Sequence, residues 1–278
     1  MTWLKYQRPN PFIIALYGCV GFCMMIMMIG IGQFDHFEPR HFVSLTLLSV
    51  LMPLILKTKN GRFVGFAVLL SSYAIFPMFS LIGNIIPYRF DDKLYQLDTW
   101  IFGQSLPLYF TYRPVWLSEY LALCYLALFP LQILSCYFWF KNHQQHYQLF
   151  SFGLAIMFVV GYMGYLVIPA QGGYLAYPDV FYFPNTGGYI TTFLINANKP
   201  LIVGIDAFPS LHTGFAVLIN GFFFVKKYHK IGLALLPITI GLIISTQYFA
   251  FHYGVDLLAG IILAISILIF ISCYQKVQ

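Results

Sequence analysis

The chain has 278 residues, of which 60% are hydrophobic, 19% aromatic and only 9% charged, and its mean hydropathy is +0.77. A soluble globular domain carries about 25% charged residues, so this composition excludes that class and indicates an integral membrane protein. The formal net charge of +6 does not imply nucleic acid, because no basic run with interleaved aromatics exists and the lysines stand at the ends of apolar runs.

Apolar runs of about 18 to 25 residues, long enough for a hydrocarbon core of about 30 Å, are read near 12–33, 42–56, 63–86, 116–140, 148–168, 209–225, 231–250 and 254–273. The expected fold is all-α, a polytopic membrane protein of about eight transmembrane helices in one domain spanning 1–278. The first run follows Lys5 and Arg8, but its apolar core is about twice the length of a signal peptide's and no A-x-A site follows, so it reads as a retained helix. The second is short and contains Pro53, which leaves open a tilted, kinked or re-entrant segment and a total of seven spans.

Between the third and fourth runs, 87–115 is too polar to cross. Leu94, Leu97 and Ile101 at helical spacing, with Trp100 beside them, predict an interfacial helix on the outer face. The segment 169–208, rich in Gly, Pro, Tyr and Asn, is longer than a connection needs and is expected to cap the site or form its entrance. No internal repeat or linker marks a second domain. The five cysteines fall inside the expected spans, where they read as small hydrophobes and not as a disulfide framework or a zinc set.

Orientation follows from the cations. With a cytoplasmic N-terminus the inside segments collect Lys5, Arg8, Lys57, Lys59, Arg62, Lys141, Lys226, Lys227, Lys230 and Lys276. Arg40, Arg89, Lys93, Arg113 and Lys199 remain outside, and ten against five satisfies the positive-inside rule. Both termini are then cytoplasmic, and all nine acids lie on or near the extracytoplasmic side.

Two polar islands interrupt the last third of the chain, DAFPSLHTG at 206–214 and STQYFAFHYGVDLLAG at 245–260. His252 and Asp256 are four apart, so on a helix they share a face and the carboxylate can hold one imidazole nitrogen, freeing the other. His212 follows Pro209 and Ser210, which read as a helix start. About forty residues separate the histidines, the length of two spans and a short turn, so both reach the outer leaflet and can converge on one site.

His252 is the expected nucleophile on phosphorus, Asp256 its orienter and His212 the acid for the departing alkoxide. The imidazoles should then face one cavity about 5 to 8 Å apart, the reach of hydrogen bonds on both sides of a phosphate. The amides at 210–212 and the Ser210 hydroxyl would hold phosphate oxygens. No metal or cofactor is expected, since the spacing lacks H-E-x-x-H character and no fourth ligand accompanies the three.

These residues carry a resemblance to a known family. FPSLHTG around His212 resembles the second signature, P-S-x-H, of the type 2 phosphatidic acid phosphatase (PAP2) superfamily, and His252 with Asp256 resembles its third, H-x-x-x-D. More narrowly, Ser245, Thr246, Tyr248, His252, Tyr253, Val255, Asp256, Leu257 and Gly260 resemble the inositol phosphorylceramide synthase branch, which is similar to sphingomyelin synthases in its His-His-Asp set. Asp92, Leu97, Asp98, Phe102, Gly103 and Pro107 resemble the segment these proteins carry before the catalytic half. The likeness covers about 87–273, with 1–86 as N-terminal helices.

It implies a lipid phosphotransferase acting through a phosphohistidine, with a lipid donor and an alcohol or water acceptor, and lipid metabolism of the sphingolipid or phospholipid kind. One departure stands out. The first signature of the phosphatases, K-x6-R-P, is missing: Arg113-Pro114 has its ending, but Leu106 stands where the lysine belongs, and Thr246 occupies the position of a further arginine. This favours the transferase branch over a lipid phosphate phosphatase, the first alternative. A non-catalytic transporter or scaffold is the alternative of another class. Candidate substrate-binding residues are Ser210, Arg113, Tyr248, Lys199 and Gln171, with Arg89 a further source of charge.

Overall fold

The structure, a computed structural model, describes residues 34–57, 61–181, 187–199 and 203–276, with scattered positions between 18 and 32. The first expected span therefore lies largely outside the described residues. The helices are α1 (Pro39–Lys57), α2 (Gly61–Ile75), α3 (Phe79–Ile85), α4 (Asp91–Phe102), α5 (Val115–Leu126), α6 (Leu128–Asn142), α7 (Gln144–Val167), α8 (Gly173–Ala176), α9 (Tyr189–Asn198), α10 (Leu211–Val225), α11 (His229–Tyr248) and α12 (Gly254–Lys276). Among the described residues extended pairing is confined to an isolated bridge between Ala170 and Asp206.

The seven remaining apolar runs fall on α1, α2 with α3, α5 with α6, α7, α10, α11 and α12. Among the described residues, four stretches can cross a membrane by length and composition: Gly65–Ile85, Gln144–Val167, His229–Tyr248 and Gly254–Cys273. The pair α5 and α6 makes a fifth if its 43° bend lies within one span. That bend has a cause in Pro130, in the first turn of α6, which has no N–H to give and crowds the carbonyl four residues back. Pro53, by contrast, leaves α1 unbroken.

α10 lies at the centre, packed on α12, α11, α7 and α6. Its Phe215 and Phe222 join Trp139, Phe158 and Tyr162 in the main core. Lipid tails are as apolar as these side chains, so what holds the bundle is close contact, and small residues allow it. Gly260 allows one such approach: a Cβ there would stand 2.4 Å from the Ser210 carbonyl oxygen. α12 thus lies directly against the start of α10.

α4 shows the reverse of a soluble surface helix. Asp91, Leu94 and Asp98 are buried, while Leu97, Ile101 and Trp100 (82% exposed) face out. The expected apolar stripe is thus split, with Leu94 turned inward, because the two carboxylates are needed inside. Asp98 accepts from the Ser105 hydroxyl at 2.7 Å and the Leu106 amide at 3.0 Å, and from the Val255 amide at 2.9 Å in the first turn of α12. Asp91 accepts from the Gln171 and Gly172 amides and the Tyr253 hydroxyl. One helix therefore clamps both segments that flank the cavity described below. Asp98→Ala strands these buried donors and is expected to cost about 3 kcal/mol, read as a lowered thermal midpoint in detergent.

Candidate active site

His252 does not lie on α12. The helix begins at Gly254, and His252 sits in the tight turn 249–253 that joins it to α11. The expected shared helical face is thereby corrected: the two residues meet because Asp256, in the first turn of α12, reaches backward. Its Oδ2 accepts the Tyr253 amide at 2.8 Å, the capping geometry of a helix start, and stands 3.5 Å from His252 Nδ1.

At 3.5 Å the carboxylate is an electrostatic neighbour; the well-formed hydrogen bond goes elsewhere. His252 Nδ1 lies 2.8 Å from the Ala207 carbonyl oxygen. A carbonyl only accepts, so Nδ1 carries the proton and Nε2 keeps its lone pair. The backbone of His252 is fixed as well: the Thr246 carbonyl accepts its amide at 3.3 Å and the Gln247 side chain donates to its carbonyl at 3.1 Å. A side chain held this firmly has little freedom left to lose when a ligand meets it.

His212 is the second residue of α10, whose N-cap Ser210 accepts the Thr213 amide through its hydroxyl. Its ring stacks on Tyr125 at 4.4 Å, and its centroid is 6.1 Å from that of His252. Both imidazoles line one cavity of about 360 Å3, together with Asp206, Gln171, Asn198 and Tyr174. From that polar end the cavity runs to an apolar one walled by Tyr73, Phe76, Phe129 and Phe158. Of these wall residues Phe129 is also 43% exposed.

The loop that brings up Gln171 needs its glycine. Gly172 has φ +85, and a Cβ on it would meet the Phe251 carbonyl oxygen at 2.2 Å. The backbone of 170–174 can therefore lie against the His252 turn, where the Tyr174 amide donates to Ala250.

Of the residues singled out in the sequence, His212, His252 and Gln171 line the cavity, with Asp256 buried behind His252. Ser210 is fully buried and engaged in the helix cap. Tyr248 is buried outside the cavity lining, its hydroxyl bonded to Ser118 at 2.7 Å. The Arg113 guanidinium covers the Tyr248 ring at 4.5 Å and donates to the carbonyls of Phe110 and Tyr248. Burial lowers the Arg113 pKa to about 10. Lys199 is exposed and donates to Asn196, and Arg89 donates to four backbone carbonyls, those of Gly83, Ile86, Tyr88 and Gly204. Among the described residues no lysine or arginine lines the cavity, and no cluster of three metal-ligating side chains forms. Thr246 is buried and bonded to the Ile243 carbonyl.

Sequence reasoning passed over the Ala207 carbonyl, Tyr125, Asn198 and Asp206. Only Asp206 left a signal, as the acid that opens the polar island 206–214. It lies in the loop before α10, where burial pushes its pKa up to about 6, partly offset by the nearby His252 and by backbone amides of 204–206. A folded pKa above the unfolded one gives a stability contribution that is present below about pH 4 and is lost as pH rises through about 6. The thermal midpoint should therefore fall between pH 5 and 7 more in wild type than in Asp206→Asn.

A family model described as the PAP2 superfamily matches residues 92–270, which include the whole cavity turn, both histidines and α4 from its second residue. No curated protein and no solved structure matches the chain.

Proposed function

The chain belongs to the PAP2 superfamily and is an enzyme of the lipid phosphatase or phosphotransferase type, and from that premise we propose that it transfers a phosphate-bearing lipid headgroup to an alcohol through a phosphohistidine. The observation that carries this reading is the His252 imidazole, pinned at Nδ1 by Ala207 and backed by Asp256, which leaves Nε2 as the nucleophile on a ring whose centroid is 6.1 Å from that of His212 in one cavity.

Nε2 of His252 attacks phosphorus, the bond from phosphorus to the lipid oxygen breaks, and His212 gives its proton to the departing alkoxide. The positive charge that grows on His252 is met by the Asp256 carboxylate and the Ala207 dipole. His212, now neutral, takes the proton of the acceptor hydroxyl, whose oxygen attacks phosphorus and releases Nε2. Both steps balance without a further reactant.

Transfer is favoured over hydrolysis by the shape of the cavity. Its polar end is lined by Gln171, Tyr174, Asp206 and Ala207, and its apolar end by aromatic side chains of which Phe129 is partly exposed, a lining suited to a lipid donor and poor in groups that would hold water. We place the site on the extracytoplasmic face of a bundle of about eight spans, with both termini cytoplasmic, α4 lying on the outer interface and the branch that of the inositol phosphorylceramide synthases. Purified enzyme given a donor lipid should consume it faster when an acceptor alcohol is added and should yield a new phosphodiester lipid. Equal consumption with every acceptor, giving only hydrolysis product, would reject transfer and leave a phosphatase.

A further inference from the structure

Helix α9 starts on a cap that it does not carry. At a helix start the amides of the second and third residues ordinarily donate to the side chain of the N-cap residue. The N-cap of α9 is Gly188, which has no side chain. Both amides donate instead to Glu119 of α5, Ile190 to Oε2 at 2.9 Å and Thr191 to Oε1 at 2.8 Å, and the Thr191 hydroxyl donates to Oε1 at 2.7 Å. Glu119 is the sole charged residue between Arg113 and Lys141, and its charge is matched by the positive end of the α9 dipole. The glycine belongs to the same arrangement, because a Cβ at position 188 would stand 3.1 Å from the Glu119 carboxyl carbon.

One wall of the catalytic cavity hangs on this cap. α9 has ten residues, fewer than the about 12 to 15 at which a helix begins to stand alone in water. It packs chiefly on α5, with Leu194 buried against Ala122, Tyr125 and Phe251, while Tyr189 and Phe193 are exposed. Leu194, Ala197 and Asn198 line the cavity, and Asn198 bonds the side chain of Tyr125, whose ring stacks on His212. Without Glu119 three donors at the start of α9 lose their acceptor, and the wall that α9 forms beside His212 loosens.

We propose that Glu119 is a positioning residue that decides between alcohol and water as acceptor: by capping α9 from α5 it holds the cavity wall closed while phosphate is on His252. This rests on the phosphotransfer reading for the intermediate. With α9 loosened, water does what the alcohol does. Its oxygen attacks phosphorus, the bond from phosphorus to Nε2 breaks and the neutral His212 takes the proton, so the phosphorylated headgroup leaves as a soluble product. Glu119 does not line the cavity, so its loss redirects the intermediate without slowing its formation.

The test follows both fates of the headgroup in detergent micelles, with inositol-labelled phosphatidylinositol as donor and a short-chain ceramide as acceptor. Wild type should yield mainly labelled lipid product. Glu119→Gln keeps the size and removes the charge. It should raise the ratio of water-released to transferred headgroup by about 10- to 100-fold at nearly unchanged donor consumption, the range expected for hydrogen bonds to a charged acceptor. Thr191→Val removes one of the three bonds and leaves the carboxylate, so it should move the ratio the same way by about 3-fold, which guards against a variant that merely folds poorly. An unchanged ratio in Glu119→Gln overturns the proposal. So does an equal loss of both products in both variants, which would make Glu119 a purely structural residue. Amide exchange read by mass spectrometry needs no substrate: Glu119→Gln should speed exchange in 187–198 by about 10-fold or more and leave 211–225 unchanged. Exchange equal to wild type rejects the cap. If wild type forms neither product, the phosphotransfer reading fails, and the exchange result by itself decides whether Glu119 holds α9.

Discussion

His252→Ala is expected to abolish headgroup transfer and, with it, the acid-labile phosphoryl label that radiolabelled donor leaves on the wild-type protein. No other described imidazole on the cavity has its Nδ1 pinned by a carbonyl and backed by a carboxylate, so nothing nearby can take over the attack. His212→Ala should spare the label when the donor carries a good leaving group such as nitrophenol, which needs no proton, and should block natural donors. Asp256→Asn is expected to cost about 10³-fold in kcat, less than the roughly 10⁴-fold seen when an orienting carboxylate alone fixes the tautomer. Here the Ala207 carbonyl still holds Nδ1, so what is lost is mainly the charge opposite the imidazolium. Turnover or labelling retained in His252→Ala would end the proposal.

The second large effect is expected from a methyl group far smaller than either histidine. Gly260→Ala places a Cβ 2.4 Å from the Ser210 carbonyl oxygen and 3.3 Å from the Gly214 amide nitrogen, both backbone atoms that cannot rotate away. α12 and the start of α10 must separate by about 1 Å, and the helix turn that moves is the one carrying His212. A displacement of that size costs about 10²-fold in rate. Helix content by circular dichroism should be unchanged, because both helices survive the shift, while kcat falls with little change in KM. Full activity in Gly260→Ala would show that the spacing between His212 and His252 is not set by this crossing.

Composition and run length alone determined that the chain is a membrane bundle, because in hydrocarbon only helices and closed barrels satisfy every backbone group, and continuous runs of about twenty apolar residues announce the helix. Local chemistry likewise determined the start of α10 at Ser210, since a side-chain cap acts within three residues. His252 and Asp256 stood out for the same reason, two polar groups where each is expensive. What sequence could not give is how they meet. The spacing of four suggested a shared helical face, yet the chain turns at 249–253 and α12 begins only at Gly254.

The partner of His252 Nδ1 is a backbone carbonyl forty-five residues away, and a carbonyl has no sequence signature. Arg113 and Ser210 carried the right groups for phosphate, but packing committed the one to carbonyls and the Tyr248 ring and the other to a helix cap. Asp206 faced the cavity instead. Which polar groups a fold spends on its own backbone and which it leaves to a ligand depends on contacts between distant segments, and those only the tertiary structure decides.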